Sequence, residues 1–214
     1  MKKIKTLISG AVLTMILGMG MVNIGYADVN ILPAVAVNSN DDVTITWSYL
    51  GRGSIPSILA KRYNKEGDPI DNVGFMVSSS FGSPSFYNYD PDVATDSAGN
   101  SVIVWCTYEF SSPGENISIV YTIVPPPSGT SREAAAPQVK TVLPQQEDDE
   151  EVEINLLNFP FSPVVAIDSE DNMAIAWATY DFKSGANGIY LVTGTVTEGM
   201  SEAVKVIDNV EEVT

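Results

Sequence analysis

Pro91-Asp92-Val93-Ala94-Thr95-Asp96-Ser97-Ala98-Gly99-Asn100-Ser101-Val102-Ile103-Val104-Trp105 decides the fold of this chain, because versions of it occur three times. Its opening recurs as Pro33-Ala34-Val35-Ala36-Val37-Asn38-Ser39 and as Pro163-Val164-Val165-Ala166-Ile167-Asp168-Ser169. In each copy a tryptophan stands 14 residues after the proline, at Trp47, Trp105 and Trp177, and the chain has no other tryptophan. A motif returning at intervals of tens of residues marks a repeat architecture, in which each copy buries its apolar surface against its neighbours.

Each copy reads as β-structure. A short apolar run meets a polar turn (Asn38 to Asp42, Asp96 to Asn100, Asp168 to Asn172), and a second run ends at the tryptophan. Asn, Asp and Gly in the turns tolerate left-handed backbone or close their own Asx turns. Third runs follow at Ser57 to Tyr63, Ile117 to Val124 and Gly188 to Val196, with fourth runs at Val73 to Ser78 and Ala203 to Ile207. The expected unit is an antiparallel sheet of three to four strands, and the mature chain offers no convincing amphipathic helix.

The two sides of the second runs predict the stacking. Val43, Ile45 and Trp47 alternate with Thr44 and Thr46, whereas Ile103 and Trp105 are backed by Val102 and Val104, and Trp177 by Ala174 and Ala176. A sheet covered on both sides is apolar on both, and one with a wet side alternates. The middle copy is therefore expected between the other two, with one face of the first copy turned to water or a partner. Val35, Ile45, Trp47, Val93, Ile103, Trp105, Val165, Ile175 and Trp177 form the expected core.

These copies, with their P-x-V-A-x-D opening and closing tryptophan, resemble the blades of bacterial secreted β-propeller-like repeat proteins. Ile58-Leu59-Ala60-Lys61-Arg62-Tyr63 and the turn Asn64-Lys65-Glu66-Gly67-Asp68-Pro69 match the second half of such a blade. The middle copy departs from it at Pro125-Pro126-Pro127. The resemblance implies a fold and export, not a chemistry. Closed propellers use about four to eight blades, and only three copies are present, so a ring completed by oligomerisation, an open stack and a compact β-sandwich all stay open.

The organisation expected is a signal peptide over 1–27 and one all-β domain over 28–214, with repeats at about 31–78, 90–124 and 161–209. Lys2, Lys3 and Lys5 precede an apolar stretch from Leu7 to Val22, and small residues flank Tyr26 at Gly25 and Ala27, as signal peptidase requires. Export to the periplasm or the extracellular space of a bacterium follows, with no membrane attachment after cleavage. Cleavage would leave 8 basic against 27 acidic residues, a net charge of −19. Such a chain repels nucleic acid, whose binding needs Lys and Arg against phosphate. Cys106 is the single cysteine, so no internal disulfide is available, and it reads as a small buried apolar residue.

Two insertions break the period. One, near Ser78 to Tyr89, carries Phe81, Phe86, Tyr87 and Tyr89, whose rings are suited to stacking on a sugar or a peptide. The other spans 125–160 and combines prolines with the acidic run Glu147 to Glu153, which reads as a solvated loop. Asp168, Glu170 and Asp171 come nearest to a cation cluster, but calcium takes six or more oxygens and a hairpin turn explains these residues better. No cofactor is expected.

With no histidine in the chain, the Ser-His-Asp and Cys-His nucleophiles are absent, as are histidine zinc sites. The expectation is a non-enzymatic module that binds a protein or glycan, or associates with itself. The alternative is a sialidase-like propeller hydrolase, for which only Arg52, Arg62 and Arg132 would supply a carboxylate clamp.

Overall fold

The computed structural model describes residues 28–51, 55–78, 86–110, 115–126, 139–142, 159–180 and 187–208. The signal-like segment 1–27, Phe81 and most of the 125–160 insertion, its acidic run included, lie outside them.

Those residues form three antiparallel sheets and no helix. The first contains β1 (Val29–Val37), β2 (Val43–Leu50), β3 (Ser57–Tyr63) and β4 (Phe75–Met76), paired in that order. The middle sheet runs β5 (Phe86–Thr95), β6 (Ser101–Phe110), β7 (Glu115–Val124) and β8 (Val139–Thr141). In the third, β9 (Phe159–Ile167), β10 (Asn172–Tyr180) and β11 (Asn187–Thr195) pair in sequence. Both β12 (Gly199–Met200) and β13 (Val204–Asp208) pair with β11. The middle sheet's fourth strand, β8, lies inside the insertion expected to be a loop, too short at three residues to show an alternation.

The repeated motif folds the same way each time. Its proline follows a residue in left-handed backbone (Leu32 φ 53°, Asp90 φ 58°, Ser162 φ 49°), and the ladder slips register there in β1, β5 and β9. Proline has no N–H to give a ladder, and a bulge removes the demand. The following turn is also common to all three. The side-chain oxygens of Asn38, Asp96 and Asp168 accept the N–H of the residue four on, at 2.9, 2.7 and 3.0 Å. Asp41, Gly99 and Asp171 take the left-handed position.

The sheets lie in series, with β1 against β5 and β5 against β9. Ile103, Trp105, Val93, Val120 and Val124 of the middle sheet pack on Ile58, Ala60 and Val77 of the first. On its other side, Val102, Val104, Cys106, Ile119 and Tyr121 pack on Val165, Met173, Ile175, Trp177 and Val192. The middle copy is thus covered on both faces, as its sequence requires.

The first copy corrects the expected core. Its buried side is the hydroxyl side: Thr44, Thr46 and Ser48 face the middle sheet, while Ile45 and Trp47 are half-buried and Val35 is 62% exposed. Threonine is as much a strand residue as a wet one, and both threonine hydroxyls find partners, whereas the buried Ser48 hydroxyl has none among the described residues. Thr44 Oγ1 shares a hydrogen bond with Ser101 Oγ (2.8 Å), and Thr46 Oγ1 donates to the Leu59 carbonyl (2.9 Å). A hydrogen-bonded hydroxyl is buried at little cost.

A buried ion pair locks the first sheet to the middle one. Arg62, on the inward side of β3, donates through Nε and Nη2 to the Asp71 carboxylate at 3.0 and 2.8 Å. Its Nη1 donates to the Pro125 carbonyl at the exit of β7 (2.7 Å), and its guanidinium lies over the Phe75 ring. Breaking a buried pair leaves an uncompensated charge and costs about 3–5 kcal/mol. Arg62→Ala is therefore expected to lower the urea unfolding midpoint strongly. Lys65→Ala, which removes the exposed Lys65–Glu66 pair (3.9 Å), is expected to change stability by less than about 1 kcal/mol. Equal effects of the two substitutions would contradict this assignment.

Candidate functional site

The aromatic residues expected in a loop are strand residues. Phe86, Tyr87 and Tyr89 open β5, and register assigns them to opposite faces. Tyr87 pairs directly with Tyr108, and Tyr89 with Cys106, on the side facing the third sheet. Phe86 and Asn88 face the first sheet.

Tyr89 turns its hydroxyl inward. It packs against the core between the middle and third sheets, and its enclosed hydroxyl has no hydrogen-bond partner among the described residues. Burial pushes its phenol well above the usual range, with the neighbouring Cys106 adding to the effect. Burial likewise raises the Cys106 thiol well above its ordinary value, so it stays protonated and unreactive. Tyr87 and Tyr108 sit further out on the same side, half-buried, at the rim of this seam. The sequence reading missed Tyr108, which only the β5–β6 register places opposite Tyr87.

Asn88 was also missed. Its Oδ1 accepts the Trp105 indole N–H (2.9 Å) and the Thr107 hydroxyl (3.0 Å), while its backbone N–H donates to the Pro56 carbonyl (3.1 Å). An asparagine set among aromatic residues was the available signal. It holds the base of the aromatic strand against the first sheet.

The acidic candidates serve the fold. Asp168 closes its own turn, and the Asn172 side chain, helped by the backbone of Asn172 and Glu170, lowers its carboxyl. Asp171 receives the Ser97 backbone N–H at 2.7 Å and the Ser97 hydroxyl at 2.6 Å, tying the third copy's turn to the middle copy's. Glu170 is exposed beside them. Among the described residues no group of three or more His, Cys, Asp or Glu is placed to hold a metal ion. Asp92 accepts the Val165 N–H across the same seam (2.8 Å), and Asp90 is the other carboxylate on the first strand of each copy, β1, β5 and β9. Arg62 is engaged by Asp71 and Pro125, while Arg52 and Arg132 lie outside the described residues.

No known protein-family model matches the chain, and no curated protein matches it significantly. Among solved structures it is similar to an endo-arabinase from Bacteroides thetaiotaomicron VPI-5482, with a TM-score of 0.52 and 9% identity over 84% of this chain. It is also similar to an N-acetylgalactosamine deacetylase from F. plautii in complex with blood group B trisaccharide, with a TM-score of 0.51 and 14% identity over 83% of this chain. The chain spans 61% and 53% of those two proteins, and at these identities the likeness is one of fold. The class defined is an all-β protein of three antiparallel sheets packed in series.

The Asp171–Ser97 tie gives a pH signature. The Ser97 hydroxyl first, and its backbone N–H second, hold the Asp171 carboxyl below the usual range. A depressed carboxyl stabilises the fold fully above its unfolded value of about 4, and the contribution fades as pH falls through the folded value. Ser97→Ala is expected to raise the Asp171 titration midpoint, read by NMR, and to destabilise the protein at pH 7 more than at pH 2. A stability loss that does not depend on pH would refute the tie.

Proposed function

We propose that the protein is an exported, non-enzymatic β-repeat module with propeller-like blades that binds a glycan or protein surface at the Tyr87–Tyr108 rim. The supporting observation is a division of labour. Asp92, Asp171 and Arg62 hold one sheet on the next, and two cross-strand tyrosines lie half-exposed at the rim. Phe86 flanks them on the other face of β5. Aromatic rings supply rigid contact area with a polar tip, which suits sugars and peptides alike.

The alternative, a sialidase-like or other glycan hydrolase, draws on the two structural relatives named for action on glycans. Against it, glycoside cleavage ordinarily needs two carboxylates flanking the bond. The first strands of the three copies bring only Asp90 and Asp92, from one strand, and Asp92 is bound to Val165.

The test is an immobilised panel that includes arabinan and N-acetylgalactosamine-terminated oligosaccharides alongside peptides. Binding without turnover is expected, with Tyr87→Ala weakening it about three- to tenfold, the worth of one aromatic contact. Turnover of any panel member that disappears in Asp90→Asn would replace this reading with the hydrolase.

A further inference from the structure

The same motif position is buried or bare according to which copy it belongs to. Val93 and Val165 are 5% and 9% exposed, because the preceding sheet covers the tryptophan side of the middle and third copies. Val35, their equivalent, is 62% exposed, and Pro33 is exposed where Pro91 and Pro163 are buried. Val37 is open as well. The first sheet thus presents the surface with which each later copy meets its predecessor.

The third sheet presents the complementary surface. Where the middle sheet sets Val102, Val104, Cys106, Ile119 and Tyr121 against its successor, the register of β10 and β11 puts Ala174, Ala176, Ala178, Ile189 and Leu191. Val164, opposite Ala176, is exposed, and so is Val204 opposite Leu191. Clustered exposed apolar side chains of this kind are what interaction surfaces present.

We infer that these two faces belong together: the Trp47 face of one copy of the chain docks on the Ala176 face of a second, continuing the seam already made twice within the chain. A polar key accompanies one of those two seams, the one between the middle and third copies, while the first–middle seam has Gly99 at the corresponding position. Asp171 in the third copy's turn grips Ser97 in the middle copy's. The position of Asp171 is held in the first copy by Asp41, in the same left-handed backbone (φ 65°), and that of Ser97 is held in the third by Ser169. Asp41 of one chain accepting from Ser169 of the other repeats the Asp171–Ser97 contact. Two chains bring six of the described sheets together, within the range of about four to eight that closed propellers use. The assembly is a two-chain ring with two identical head-to-tail seams. It holds whether or not the tyrosine rim binds a ligand.

The test is the molar mass of the protein, purified after secretory expression, by size-exclusion chromatography with light scattering. Two chains are expected, with no growth at higher concentration. Val35→Glu and Val164→Glu, both at exposed positions, are each expected to yield single chains with unchanged circular dichroism. Their equimolar mixture is expected to recover a two-chain species, since one of its two seams is unmutated. Asp41→Asn is expected to weaken dimerisation about a hundredfold, since a charged hydrogen bond worth about tenfold is lost at each of the two seams. A wild-type monomer, a dimer that survives Val164→Glu, or a mass that climbs with concentration would each overturn the closed ring.

Discussion

The middle sheet is the constraint on which everything else rests. Its second strand is apolar on both sides, with Ile103 and Trp105 on one and Val102, Val104 and Cys106 on the other, all fully buried. Such a strand is insoluble unless two partners cover it. The first and third sheets are those partners, and the tyrosine rim and the ties at Asp92 and Asp171 lie along the seam that results.

The two seams are chemically different. The one between the middle and third sheets is lined by apolar side chains, with Trp177 stacked at 5.8 Å on Tyr190. The one between the first and middle sheets adds threonine and serine hydroxyls and the Arg62–Asp71–Pro125 lock. Both seams have an apolar core, and the first–middle seam adds to its own a set of polar contacts that tie the first sheet to the middle one.

Much of this was legible in the residues. The repeat, the hairpins and the sandwiched middle copy follow from a motif recurring with its tryptophan at a fixed offset, and β3 (Ser57–Tyr63) matches its expected bounds. The reading failed where a residue's type did not determine its surroundings. Thr44 and Thr46 alternate with apolar residues as surface threonines do, and only tertiary contact shows their hydroxyls satisfied inside. Likewise, Tyr87 and Tyr89 differ by two positions on one face. A ladder was needed to show that one lies in the core and the other at the rim. Strand β8 was hidden by its brevity.

The residues before the three motif prolines are a leucine, an aspartate and a serine, yet they share one left-handed backbone setting and one ladder slip. Three different side chains thus carry one torsion, each ahead of a proline that is the same in all three copies. The backbone setting at that point depends on the proline and the bulge and leaves the preceding side chain open to substitution.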